Sequence, residues 1–313
     1  MAAPTGFATV EWFSIDGIRE VLPYVTGSLF AGLILGIVAG VIGPMIQARD
    51  LAFAVHGSSE LSFAGGAAAL LLFGGGVAAA STATIVGVGS IVGSVIAAVL
   101  FGVLGAKARE RNSAIGVILP FGLGLGVLFL FLHPGRAANK FGLLVGQIVA
   151  VDTTQIWLLA AVAVVVLGVL AAIWRPLFFA SVDPDVAVAR GVPTRLLSAL
   201  FMIVLGLAVA MAVQIVGAIL VLSLLITPTA AASRVTASPA MVTLLSVLFA
   251  VFSAVGGIIL SLTPELPISP CVTTLSFLIY LVCRVIGAAR HRRGWNTRTP
   301  APTAAAEPVA AAA

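Results

Sequence analysis

In the stretch AVHGSSELSFAGG, residues 54–66, two side chains could do chemistry together: His56 and Glu60. Positions i and i+4 of a helix point the same way about 6 Å apart, so one imidazole and one carboxylate there could grip the same ion. Such a donor pair suits Zn²⁺, Mn²⁺ or Fe²⁺. Two ligands cannot complete a tetrahedral or octahedral shell, and a His–Glu hydrogen bond that ties down a loop would carry the same pattern. Among the 11 acidic residues, Glu60 alone falls at the threshold of an apolar run with no cation beside it in sequence, which makes it a functional candidate. Gly57 leaves open whether both residues lie on the helix or in a preceding loop.

The elements that must position this pair are membrane helices. Of 313 residues, 61% are hydrophobic and 9% charged, against about 25% charged in a soluble domain. The mean hydropathy is +1.21. Residues 61–106, 112–135, 156–174, 196–233, 235–264 and 266–283 contain no Asp, Glu, Lys or Arg. A span takes about 20 apolar residues, so the longer stretches must hold two helices each. Helices are the economical answer, since lipid offers no partner to a free backbone amide. The expected fold is therefore an all-α polytopic membrane bundle with about nine spans: residues 27–47, 57–75, 82–105, 113–132, 156–174, 196–212, 214–232, 240–262 and 271–289. The cut near Gln214 is the least marked of these, and without it the count is eight. Between spans four and five, residues 133–155 hold an apolar piece too short to cross twice, which predicts a short helix or re-entrant element ending near Asp152.

Charge placement sets the expected orientation. Thirteen Lys and Arg residues follow odd-numbered spans, and Arg19, Arg136 and Lys140 lie on the other side. By the positive-inside rule the C-terminus is cytoplasmic and the N-terminus outside. Trp157 and Trp174 lie about 26 Å apart along a helix, near both interfaces of the fifth span. This organisation divides the chain into an extracytoplasmic segment 1–23, a transmembrane domain 24–289 with a cytoplasmic loop 176–195, and a low-complexity tail 290–313 with nothing to bury.

Several function classes are excluded or disfavoured by the residues. The start lacks the basic region of a secretory signal, and the first span acts as anchor. Cys271 and Cys283 read as small core hydrophobes. A pI near 10.0 does not indicate nucleic acid, because the charges sit in short loops and form no basic stripe with aromatic neighbours. Neither GxxxxGK[ST] nor HExxH occurs, and GVGSIVG at 87–93 has the wrong spacing for a dinucleotide fingerprint. If nucleotide drives this protein, another chain binds it. Glycines recur every four residues at Gly32, Gly36 and Gly40, at Gly89 and Gly93, and at Gly122 and Gly126, which lets helix backbones approach within one subunit or across a dimer face.

On the cytoplasmic side, FFASVDPDVAVARGVPTRLLSALFM (178–202) reads as a turn at Asp183 and Pro184, a short helix through Val188, then Gly191 and Pro193 before the sixth span. It fits either a helix that docks into a soluble partner or an ordinary surface loop.

Here the chain resembles the permease subunits of ABC importers for divalent zinc, manganese and iron, over residues 24–288. FASVDPDVAVARGVP looks like the family's coupling loop, and the resemblance implies that Asp183, Pro184, Asp185, Arg190 and Gly191 face the ATPase. QIVGAILVLSLLITPTAAASR (214–234) is similar to a pathway or packing segment, which implies such roles for Gln214, Gly217 and Pro228. LLVGQIVAVDTTQI (143–156) and PELPISPCVTTL (264–275) match two further family segments in family order. Many members carry Arg-Arg, then Asp and, four residues on, His at the head of the second span. Here Arg49 matches the first Arg, Asp50 replaces the second, His56 takes the Asp place and Glu60 the His place, as in a variant branch of the family. The resemblance implies a type II ABC importer fold, a metal-pathway role for His56 and Glu60, and no permanently bound cofactor. It also implies a cytoplasmic ABC ATPase dimer, an extracytoplasmic metal-binding protein and a second permease copy in the cytoplasmic membrane. A permease for chelated metal, such as a siderophore or cobalamin, and a gradient-driven metal transporter are the alternatives.

Overall fold

The structure, a computed structural model, describes residues 15–74, 79–104, 108–133, 153–262 and 268–292. Among these residues every regular element is a helix: α1 (Ile15–Ala48), α2 (Ala52–Phe73), α3 (Ala79–Leu104), α4 (Ala108–Leu132), α5 (Thr153–Val182), α6 (Pro184–Ala189), α7 (Thr194–Val216), α8 (Ala218–Val235), α9 (Pro239–Leu262) and α10 (Ile268–Arg292). Seven of them, α1, α3, α4, α5, α7, α9 and α10, are long and apolar enough to cross a membrane. The expectation of nine also counted α2 and α8. Ser58, Ser59, Glu60 and Ser62 make α2 too polar for that measure, and α8 is apolar only over Leu220–Val235. The expected re-entrant element lies outside the described residues except for its ends, as do most of the N-terminal segment and the tail from residue 293.

Local chemistry sets the corners. α1 ends in a Schellman motif: Asp50 adopts the left-handed region at φ 51°, its N–H reaches the Gln47 carbonyl at 3.3 Å, and the Leu51 N–H reaches Ile46 at 2.9 Å. That closure lets α2 begin at Ala52, five residues before the expected start. The α7–α8 break falls at Gly217, whose φ of 81° only a residue without Cβ adopts freely. α9 opens on Pro239, where a missing N–H costs nothing.

α2 is the central helix, packed on α3, α4, α7 and α8, while α1 lies against α9, α5 and α8. The four-residue glycine repeats make these contacts within one chain. A Cβ on Gly36 would stand 2.8 Å from the Val251 Cα of α9, and one on Gly122 would stand 3.3 Å from the Glu60 backbone of α2. Gly65 of α2 meets Gly89 and Gly93 of α3, and Gly126 of α4 meets Phe63 and Ala64. In lipid, where apolar burial drives little helix association, this close approach and buried hydrogen bonds hold the bundle. Ser62 Oγ donates to the Ser90 carbonyl at 3.0 Å, Ser94 Oγ to Gly206 at 2.6 Å, and the Thr229 and Ser246 hydroxyls pair at 2.5 Å. The outward faces of α4 and α5 remain apolar, with Phe131 82% and Trp157 76% exposed. Cys271 and Cys283 are buried free thiols, as expected of core hydrophobes.

Gly36→Leu must push α1 off α9, because backbone rather than a movable side chain opposes it. A loss of about 3 kcal/mol or more is expected, read as a lower thermal midpoint in detergent. Gly168→Leu on α5, where nothing lies within 4 Å of the added Cβ, should leave that midpoint unchanged.

Candidate metal pathway and coupling helix

His56 and Glu60 both lie on α2 proper. The helix runs through Gly57 unbroken, and that glycine is there for space: a Cβ would stand 2.7 Å from the Phe101 ring of α3 and 3.0 Å from Ile115 of α4. His56 Nδ1 and Glu60 Oε1 are 3.9 Å apart. Two donors on one transition-metal ion at bond lengths of about 2.1 Å stand roughly 3 to 3.5 Å apart, so a small rotamer change would bring both onto one cation. Glu60 is buried at 4% exposure, and His56 is half-buried. Rather than the mouth of an apolar run, Glu60 stands about 12 Å along α2 from Ala52.

The two side chains keep unused donor atoms. Among the described residues, His56 Nδ1 and Glu60 Oε2 are buried and find no hydrogen-bond partner, and neither does the neighbouring Ser58 Oγ. Leaving such atoms unsatisfied costs about 1–3 kcal/mol each, and more for a charged group. A structural hydrogen bond between the two residues would have satisfied them; the 3.9 Å separation is too long for one. The local helix is held in other ways, since Ser59 Oγ donates to the His56 carbonyl at 2.7 Å. Among the described residues no group of three or more His, Cys, Asp or Glu could hold a metal ion.

Gln214, Gly217 and Pro228 are not brought to this pair. Gln214 Nε2 donates to the Gly87 carbonyl at 3.3 Å, tying α7 to α3. That is the level of Gly66, which lies against Val86 and Ser90, about 9 Å further along α2 than Glu60. Gly217 forms the α7–α8 break, and Pro228 is buried inside α8.

The expected turn and short helix after α5 form α6. Asp183 caps it, accepting from the Val186 N–H at 3.0 Å, with Pro184 at the first helical position. It closes in a second Schellman motif: Gly191 at φ 78° donates to Val188 at 2.9 Å, and Val192 donates to Ala187 at 3.0 Å. Ala187 is fully buried, whereas Asp185, Val186, Val188 and Arg190 are exposed. The six residues of α6 and its C-cap Arg190 thus present two valines, an acid and a base outward from a capped turn. Sequence reasoning missed the contact that joins α7 to the head of α2: Arg49 Nη2 donates to Ser198 Oγ at 2.8 Å, and its guanidinium lies 5.7 Å from the Phe201 ring centroid. In sequence, Arg49 counts among the basic residues that set topology and matches the first Arg of the family motif, and nothing local in either segment reveals a partner 149 residues away.

An all-helical bundle with seven described helices long and apolar enough to cross a membrane is the architecture of a polytopic membrane protein. The chain belongs to the ABC 3 transport family, whose pattern matches residues 22–287. It is 30% identical over 243 residues to the manganese transport system membrane protein MntC of Halalkalibacterium halodurans, covering 76% of this chain and 78% of that one. The manganese import system permease protein ScaB of Streptococcus parasanguinis is 26% identical over 283 residues, covering 89% and 95%. The high-affinity zinc uptake system membrane protein ZnuB of Haemophilus influenzae is 26% identical over 171 residues, covering 55% and 66%. In fold, the chain is similar to PsaBC of Streptococcus pneumoniae solved in complex with Fab, with a TM-score of 0.75, 24% identity, and 86% and 95% of the two chains covered.

Burying an unsatisfied carboxylate costs stability that an amide of the same shape restores in part. Glu60→Gln should raise the thermal midpoint of the metal-free protein, by about 1–3 kcal/mol in stability, while abolishing any rise on adding Mn²⁺. A lowered midpoint with the Mn²⁺ effect intact would contradict this.

Proposed function

We propose that this chain is the transmembrane subunit of an ATP-driven importer of a divalent transition metal, manganese, zinc or iron. The observation that carries the reading is the His56–Glu60 pair: two donors on one helix face, with buried atoms that no group among the described residues satisfies. The manganese and zinc relatives support the same cargo class. The ion is a substrate here, in transit rather than resident.

In this reading α2 and α8 also cross the membrane, which makes nine spans with the N-terminus outside and the C-terminus in the cytoplasm. Contacts at one end of the bundle support the arrangement: Arg49 meets Ser198, Ser233 Oγ donates to Gln47 at 3.0 Å, and Arg290 donates to the Val235 carbonyl at 2.9 Å. These gather the basic corners after α1, α6, α8 and α10 on a single side. The exposed face of α6, with Asp183, Pro184, Asp185, Arg190 and Gly191, docks an ABC ATPase dimer there, and a metal-binding protein delivers the ion from outside. A second permease copy places another His56 and Glu60 across a shared axis, so that two imidazoles and two carboxylates complete the shell and balance the dication in low dielectric. Affinity has to stay moderate for the ion to leave. Closure of the ATPases then rocks the spans between outward-open and inward-open states.

Uptake of radiolabelled manganese and zinc by membrane vesicles tests this. Glu60→Gln and His56→Ala, at normal protein levels, should lower uptake at least about tenfold, since each removes a charge or donor made for the ion. Undiminished uptake in both variants would overturn the assignment.

A further inference from the structure

The α6 helix and the His56–Glu60 pair lie on separate parts of the chain, and a side-chain hydrogen bond from Arg49 to Ser198 joins the start of α7 to the α1–α2 corner. Between α6 and Ser198 the backbone is closed at each step. Val192 N–H donates to Ala187, Thr194 to Val192 at 2.8 Å, and Leu197 to Pro193 at 3.0 Å. Gly191 takes the left-handed turn and Pro193 fixes its own φ. A displacement of α6 therefore moves the first turn of α7 with it. On the other side, Arg49 sits in a corner closed just as tightly. Its own N–H donates to Met45 at 3.2 Å, Asp50 and Leu51 complete the Schellman motif, and the Val55 N–H donates to Leu51 at 3.0 Å, which sets the first turn of α2. His56 follows directly, and Glu60 one turn later.

The Arg49 guanidinium bridges these two rigid pieces, hydrogen-bonded to Ser198 and with its central carbon 5.7 Å from the ring centroid of the fully buried Phe201. A charge-assisted hydrogen bond combined with a cation–π contact places the guanidinium on α7, and lysine, with one ammonium on a flexible stem, does not offer the same nitrogen to Ser198 while keeping its charge over the ring. We propose that Arg49 is a positioning residue for transport: it carries the displacement of α6 onto the head of α2, and so sets how His56 and Glu60 meet the pathway. This rests on the transport reading above. Arg49 touches no cargo; it acts through the helix that bears the donors.

The test uses the complex purified through a tag on this chain, with its ATPase retained, in lipid vesicles supplied with Mn²⁺ and ATP. Arg49→Lys and Ser198→Ala should keep the ATPase bound and hydrolysing at the basal rate, while manganese moved per ATP falls at least about fivefold. Ser198→Thr, which keeps a hydroxyl, should restore coupling, a rescue that simple loss of packing would not give. Arg49→Lys combined with Ser198→Ala should be no worse than Arg49→Lys alone, since both break one link. Unchanged coupling in the single variants, losses that multiply in the double, or a loss that Ser198→Thr shares would each overturn the role of Arg49. Should the unaltered complex move no manganese on ATP, the transport reading falls and this inference with it.

Discussion

A carboxylate two turns inside a helix that four others surround is the constraint on which the rest of this structure turns. Glu60 lies among α3, α4 and the backbones those helices bring close, and one of its oxygens meets no donor. Lipid and apolar side chains offer nothing to such a group, so a bundle built only for stability would not place it there. The neighbouring chemistry sharpens the point: Ser59 and Ser62 spend their hydroxyls on backbone carbonyls, whereas His56 and Glu60 keep donor atoms aside. In the proposed reading a passing dication supplies what the protein withholds, and a site incomplete in one copy binds firmly enough to select and loosely enough to release.

Holding such a pair in place demands a stiff surround, and small residues provide it. α3 and α4 reach α2 through Gly89, Gly93, Gly122 and Gly126, and Gly57 admits Phe101 and Ile115 to the helix between the two donors. The same device binds α1 to α9 at Gly36 and Gly40. Backbones in contact move as bodies. Two of the described corners, those after α1 and α6, are closed by the Schellman motif, once with Asp50 and once with Gly191 in the left-handed position. Rigid helices with few, well-defined joints are what a machine driven from one face requires.

Much of this was legible from residue order. Uncharged runs marked the helices closely, Asp183-Pro184 and Gly191 bounded α6, and the four-residue glycine spacing announced close packing, though only the structure shows that the contacts are within the chain. Local signals erred where a tertiary contact overrode them. Gly57 looked like a helix breaker because isolated glycine usually loosens a helix; two side chains from other helices fill the space its missing Cβ leaves. α2 starts five residues before the expected position, because the hydrogen-bonded corner at Asp50 and Leu51 opens directly onto the apolar run Ala52–Val55. The Arg49–Ser198 contact left no trace in sequence at all, since its partners carry no periodic or spacing signal and lie in segments that periodicity treats separately. His56 and Glu60 were visible by type and spacing, but their burial and unspent donor atoms were not.

Loading the complex with Mn²⁺ and recording its electron spin-echo modulation tests the central claim most directly. The account predicts imidazole nitrogen coupling to the manganese that disappears in His56→Ala. A bound manganese showing no imidazole nitrogen, or coupling that survives His56→Ala unaltered, would contradict it.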